Sequence, residues 1–251
     1  VFSDPGRLFE TNFYFGSGSA LYASDLLIGF LPLFAPLRLA SGNPILAFNL
    51  TWILAFFFNA TAMYFAVAHI TRNRSAGMLA GTIYAFAPIA LNLTSAHLQL
   101  AGAWWIPMTL YASARFAKSG SWVAFALAIC SIWLQLITAA YLAIVAGTVF
   151  VAFGVAPGYL RMVVGRQWIA LTKATGAATL MGALFVPIVL GFGQIAEDWN
   201  ARRHITEIHT FSAEITDYAS PSTRLRWYEP LRSRFPAPNG ERRVFPGFVP
   251  V

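Results

Sequence analysis

Residues 121–156 read SWVAFALAICSIWLQLITAAYLAIVAGTVFVAFGVA and contain no charged side chain. Such a run is typical of membrane-spanning helices, which need roughly 20 mostly apolar residues to cross a bilayer. A straight helix over the whole run would be about 54 Å long, whereas the hydrocarbon core is about 30 Å thick. The run therefore predicts two helices that turn near Thr138-Ala-Ala-Tyr141.

The rest of the chain has the same apolar character. Hydrophobic residues make up 57% of the sequence and charged residues only 11%, whereas an ordinary soluble domain carries about 25% charged residues. Four further stretches are apolar over most of the length that a span requires, namely 46–70, 76–96, 98–114 and 169–192. We therefore expect an all-α, polytopic transmembrane bundle of about six helices, and this composition excludes a soluble globular domain.

Residues 26–40 form a shorter apolar stretch that contains Pro32 and Pro36. Because it is too short to cross a membrane, it predicts a re-entrant or interfacial helix. The chain then divides into a first extracytoplasmic loop, a bundle, a second extracytoplasmic loop and the start of a further helix. These segments are 1–45, 46–192, 193–244 and 245–251, and both ends indicate a fragment of a longer protein.

The charged residues are sorted along the chain. No carboxylate lies between residues 26 and 196, whereas the short connections 71–75, 115–120 and 157–173 carry seven basic residues and no acidic one. The positive-inside rule places these connections in the cytoplasm and every acidic side chain outside it. The net charge of +7 is explained by this topology, so it does not indicate a nucleic-acid partner.

The extracytoplasmic segments and helix ends carry short motifs in a defined order. They are Asp4-Pro-Gly-Arg-Leu-Phe-Glu-Thr-Asn-Phe-Tyr14, Tyr22-Ala-Ser-Asp-Leu-Leu-Ile-Gly29, Gly42-Asn-Pro-Ile-Leu-Ala-Phe-Asn49, Ala76-Gly-Met-Leu-Ala-Gly-Thr-Ile-Tyr-Ala-Phe-Ala-Pro88, His97-Leu-Gln99 with Trp105-Ile-Pro107, and Glu241-Arg-Arg-Val-Phe-Pro-Gly247. In this order and spacing the chain resembles the polytopic GT-C glycosyltransferases, in particular bacterial members related to the dolichyl-phosphate-mannose protein mannosyltransferases. The resemblance implies an integral protein of the bacterial inner (plasma) membrane that transfers a sugar, with inversion, from a polyprenyl-phosphate donor to an extracytoplasmic lipid, glycan or protein acceptor.

The family's general base is a carboxylate in the first outer loop. Asp25 is the catalytic candidate in this sequence, with Asp4 and Glu10 as further acidic candidates, and the resemblance implies that the principal catalytic Asp lies upstream of Val1. Helix capping by Ser24 or Asp25 is the competing interpretation.

Six further side chains are candidates for substrate binding. An imidazole can donate to a phosphate, an indole can stack on a sugar, and arginine forks suit a phosphate or diphosphate. These candidates are His97, Gln99, Trp104, Trp105, Arg202 and Arg203. Interfacial anchoring and contacts with lipid headgroups are the competing interpretations.

The single cysteine, Cys130, lies within an apolar run, and no metal site is predicted, although a divalent cation stays open as a cofactor. The expected partners are the lipid bilayer and the sugar donor. A transporter or flippase and a non-catalytic scaffold subunit are the alternatives. The lack of carboxylates from 26 to 196 disfavours ion-coupled transport, which usually relies on acidic residues within the membrane.

Overall fold

The structure is a computed structural model, and it describes residues 25–94, 97–183, 185–198, 200, 204–223, 225–236, 242–245 and 247. Every regular element within these residues is helical, which confirms the all-α prediction. The α-helices are α1 (Leu31–Ser41), α2 (Pro44–Thr71), α3 (Arg74–Phe86), α4 (Pro88–Leu93), α5 (Leu98–Ala101), α6 (Trp105–Ser119), α7 (Trp122–Thr138), α8 (Ala140–Phe150), α9 (Ala156–Val164), α10 (Trp168–Ala183), α11 (Val186–Asp198), α12 (Ile205–Phe211) and α13 (Glu229–Arg234).

Three helical segments are long and apolar enough to cross a membrane. They are Pro44–Thr71, Arg74–Asn92 and Ala140–Val164. The second joins α3 to α4 through a bend at Ala87, and the third joins α8 to α9 through the π-helical turn Val151–Val155. The protein is therefore an apolar helical membrane protein, while the full count of six spans stays a prediction.

The turn within the 121–156 run is confirmed. Helix α7 ends at Thr138 and α8 begins at Ala140, with Ala139 in an extended conformation between them (φ −157°). The 26–40 stretch also forms the expected short helix, a 3-10 turn at Ile28–Phe30 followed by α1. This helical segment of 14 residues is about 21 Å long and is too short to cross the bilayer core.

Three predicted boundaries are wrong. The 98–114 stretch is not one helix, because α5 ends after four residues and α6 begins only at Trp105. The 169–192 stretch is divided between α10 and α11 at Phe185, close to Pro187, since proline interrupts backbone hydrogen bonding in a helix. Most of the predicted connection 157–173 is helical, and only 165–167 links α9 to α10.

The contacts divide the chain into two compact units. The first unit comprises Val1–Gly29 and Met108–Arg202. Within it, Leu26, Leu136, Ala143 and Ile188 form a buried apolar cluster. Gly29 packs so closely against α7 that a Cβ atom there would lie within bonding distance of the Thr138 hydroxyl.

The second unit comprises Phe30–Pro107 and Arg203–Val251. Its α2 and α3 form a hairpin joined by Arg72 and Asn73. Gly77 and Gly81 allow the two helices to approach closely, because a Cβ atom on Gly81 would lie 2.5 Å from the carbonyl oxygen of Ala60. Such pairs of small residues four apart are common where membrane helices pack.

The segment 204–247 carries the acidic residues of the second unit within the described part of the chain. Arg242 donates through Nε to Asp217 Oδ2 at 2.6 Å and pairs through a second nitrogen with Glu214 at 2.8 Å. Burial alone would raise the pKa of the Asp217 carboxyl, but hydrogen bonds from the Glu214 backbone N–H and from Arg242 hold that pKa below its usual range. Asp217 is therefore ionised, and its carboxylate holds the backbone of this segment in place through the hydrogen bond from the Glu214 N–H.

We predict that this segment loosens in acid. Because the folded pKa of Asp217 lies below the unfolded value of about 3.9, the ionised carboxylate stabilises the fold above about pH 4, and this contribution is lost as the pH falls through the lower folded pKa. Hydrogen-exchange protection of residues 214–220, corrected for intrinsic rates, should fall below about pH 4.

The variant Asp217→Asn should show weak protection of these residues at every pH. Glu229→Gln is the matched control, because Glu229 is exposed and pairs only locally with Arg232, and it should keep the wild-type response to pH. Equal protection in wild type and Asp217→Asn at neutral pH would contradict this role of Asp217.

Candidate functional site

The second unit contains an interruption in its helices between α4 and α6, described at residue 94 and at residues 97–104. Helix α4 ends at Leu93, α5 has only four residues, and α6 begins at Trp105. His97 is extended (φ −132°, ψ 91°), and Gly102 leaves helical geometry (φ −84°, ψ 55°). Backbone carbonyls in this stretch therefore lack the regular hydrogen bonds that they would accept within an unbroken helix.

Three side chains from α2 and α3 donate hydrogen bonds to carbonyls of the interruption. The indole Nε1 of Trp52 donates to the carbonyl oxygen of Thr94 at 3.0 Å. The amide Nδ2 of Asn59 donates to Ala101 at 2.8 Å, and the hydroxyl of Tyr84 donates to Ala103 at 2.8 Å. We call these three donors the brace.

The positions of the brace residues along their helices indicate depth. Asn59 lies about 18 Å along α2 from its end at Thr71, and Tyr84 lies about 15 Å along α3 from Arg74. If these ends mark the membrane boundary, both donors lie near the middle of a core about 30 Å thick. Irregular backbone at such depth is tolerated where it is buried in protein or lines a water-filled cavity.

The interruption carries the predicted substrate-binding residues of this unit. His97, Gln99 and Trp105 are half-buried. Trp104 is buried and packs edge-on against Phe30 with ring centroids 5.2 Å apart. Its indole therefore supports the packing around the interruption, and its contact with a sugar stays a prediction.

Asp25 belongs to the first unit and is half-buried. It lies close enough to Tyr141, at the start of α8, for the two side chains to interact electrostatically. The N-cap position of α1 is Phe30, whose side chain makes no capping hydrogen bond; capping of the preceding 3-10 turn by Asp25 stays a prediction. The structure places Asp25 in one unit and His97, Gln99, Trp104 and Trp105 in the other.

The remaining predicted site residues lie outside the described residues. They are Asp4, Glu10, Arg202 and Arg203, and their roles stay predictions. Among the described residues, no group of three or more His, Cys, Asp or Glu side chains could hold a metal ion.

The brace was not predicted from the sequence, although one of its members could have been recognised as a polar residue within an apolar run. Asn59 lies inside an apolar run, and a polar side chain at membrane depth is a functional candidate by default. It is buried, and its amide oxygen accepts no hydrogen bond from the described part of the chain. Trp52 and Tyr84 carry no such signal, because aromatic residues are ordinary in membrane helices.

Comparison with models of protein families, with curated proteins and with solved structures gives no match. The resemblance to GT-C enzymes therefore rests on the sequence motifs.

We predict that the brace stabilises the interrupted span. Tyr84→Phe removes a single hydroxyl and leaves the carbonyl of Ala103 without this donor, which should lower the free energy of unfolding by about 1 kcal/mol. Asn59→Leu should have a similar effect through Ala101. Reversible unfolding by detergent titration measures both changes.

The matched control is Thr148→Val, since the hydroxyl of Thr148 bonds only within its own helix to Ile144 and is exposed. This variant should unfold as the wild type does. If Tyr84→Phe and Asn59→Leu also matched the wild type, the brace would not stabilise the fold.

Proposed function

We propose that the protein is a membrane-embedded glycosyltransferase of the GT-C type. It transfers a sugar from a polyprenyl-phosphate donor to an acceptor on the extracytoplasmic side. The observation that supports this proposal is the interruption between α4 and α6, which carries His97 on extended backbone and Gln99 on the four-residue helix α5.

The chemistry of such a transfer suits the residue types that are present. An acceptor hydroxyl oxygen attacks the anomeric carbon of the sugar, and the bond from that carbon to the phosphate oxygen breaks. The acceptor proton passes to a carboxylate, for which Asp25 is the candidate in this chain. The polyprenyl phosphate leaves with the electron pair of the broken bond, so that the anomeric configuration is inverted.

His97 is the proposed contact for the phosphate of the donor. A lipid-linked substrate places its phosphate at the membrane boundary and its polyprenyl chain among apolar helices, and an imidazole can donate a hydrogen bond to a phosphate oxygen. Gln99 can donate to the sugar or to the phosphate. The braced backbone supports this assignment, because rigid backbone holds binding groups in a defined position.

A transporter or flippase and a scaffold subunit remain the competing functions. A flippase would need a continuous polar route across the whole membrane, whereas the interruption and its brace extend along only part of α2 and α3. A scaffold would not require half-buried polar side chains on an interrupted span. Both differ from the enzyme in a measurable way, because neither breaks the bond between sugar and phosphate.

The test is a transfer assay on the full-length protein reconstituted in liposomes with radiolabelled polyprenyl-phosphate mannose. We expect transfer of label to acceptors in bacterial membrane extracts. Asp25→Asn should lower the rate, by about 100-fold or more if Asp25 itself, rather than an Asp upstream of Val1, takes the acceptor proton. His97→Ala should weaken donor binding by roughly 10-fold to 100-fold, through loss of a hydrogen bond to a charged group.

Two matched controls remove the same chemical groups elsewhere. Asp198→Asn alters an exposed carboxylate at the end of α11, and His209→Ala alters an exposed imidazole on α12; both should transfer at the wild-type rate. Transfer that is unchanged in Asp25→Asn and His97→Ala would refute the assigned residues. Movement of intact donor across the bilayer without cleavage would favour the flippase.

A further inference from the structure

The opposite end of the α2–α3 hairpin contains an open cleft of about 490 Å³. It is lined by side chains from the last two turns of α2 and from the turn into α3, namely Tyr64, Phe65, Ala68, His69, Arg72 and Arg74. We call it the basic cleft. It is separate from the interruption, which meets α2 at Trp52 and Asn59.

The basic cleft carries positive charge that no carboxylate in the described part of the chain neutralises. Among the described residues, the ion pairs of Glu214, Asp217 and Glu229 use other arginines. No carboxylate pairs with Arg72 or Arg74 in that part of the chain, and the sequence has none from 26 to 196. Two guanidinium groups next to an imidazole therefore line a cavity in which no described carboxylate acts as a counter-ion.

The backbone at the cleft is held in a defined conformation. Arg72 has a left-handed conformation (φ 57°, ψ 29°), which is uncommon for a residue with a side chain. The Thr71 hydroxyl accepts from the backbone N–H of Asn73 at 3.2 Å, and the Asn73 side chain accepts from the N–H of Ala76 at 3.1 Å. These hydrogen bonds therefore fix the backbone of the turn that carries the Arg72 side chain.

The lining changes from basic to apolar along α2. His69 lies nearest the turn and donates through Nδ1 to the carbonyl oxygen of Phe65 at 2.8 Å. One turn of helix further into the membrane segment lie Phe65, which is 50% exposed, and Tyr64. A phospholipid has the same order of parts, with a charged phosphate next to apolar chains.

We propose that the basic cleft binds the phosphate group of an anionic phospholipid in the leaflet that faces the basic connections. Arg72 and Arg74 bind the phosphate oxygens, and the rings of Phe65 and Tyr64 contact the beginning of the acyl chains. Basic pockets between membrane helices on the cytoplasmic side are suited to anionic headgroups, and arginine forks bind phosphate oxygens in pairs.

The test measures lipid binding by the purified full-length protein in a neutral detergent. Phosphatidylglycerol is added in steps, and bound lipid is counted by native mass spectrometry. The double variant Arg72→Asn with Arg74→Gln removes both charges, and Asn tolerates the left-handed conformation at position 72. We expect about 30-fold weaker binding, because each basic residue near the surface contributes a factor of about five.

The matched control is Arg115→Gln with Lys118→Gln, which removes two charges from the end of α6 and should bind lipid as the wild type does. Equal weakening in both double variants would show only general attraction to basic residues and would overturn the site.

Inorganic phosphate and phosphatidylcholine are added in separate titrations. Competition by phosphate at the same concentration as the lipid would show a site for free phosphate. Equal binding of phosphatidylcholine would show an apolar contact alone. Either result would overturn the proposal.

Gel filtration controls for folding, because the variant must elute as a single wild-type peak before its binding is scored. If it does not, Arg74→Gln alone is scored against Arg115→Gln alone, with about fivefold weaker binding expected. No difference between these single variants would also overturn the site.

Discussion

The hydrocarbon core of a bilayer contains no water, so it can neither solvate a charge nor hydrogen-bond an open backbone. Both consequences are visible in this chain. Carboxylates are absent from residues 26–196, and regular helix accounts for most of that length. Where the helix is interrupted between α4 and α6, the brace residues Trp52, Asn59 and Tyr84 donate hydrogen bonds to the carbonyls of Thr94, Ala101 and Ala103. The candidate site therefore exists because neighbouring helices satisfy its backbone.

The features of the fold that depend only on local sequence, such as helix length, could be predicted from the sequence. The length of α2 follows from an uninterrupted apolar run, and the turn at Ala139 follows from a run too long for one span. The break before α6 was not predicted, because 98–114 is apolar over most of its length and the break is stabilised by partners far away in sequence. Asn59 and Ala101, for example, are 42 residues apart.

Only part of the candidate site could be predicted, because some of its features depend on local sequence and others on contacts between distant residues. His97 and Gln99 could be identified because polar side chains are conspicuous beside apolar helices. The packing of Trp104 against Phe30 could not, since a tryptophan at this position is equally typical of an interfacial anchor. The hairpin of α2 and α3 thus has two polar regions in one unit. The brace supports the interruption along the helices, and the basic cleft lies at the turn between them.

The sorting of charges across the membrane is the claim on which the proposed site, its substrate and the lipid cleft all depend. Single cysteines at Ser75, Ser119 and Ser212 in a Cys130→Ala background, treated with a membrane-impermeant maleimide in intact cells, test it most directly. The proposed topology predicts labelling at position 212 from outside, and labelling at 75 and 119 only after the membrane is permeabilised. Labelling of position 75 or 119 in intact cells, or protection of position 212, would contradict it.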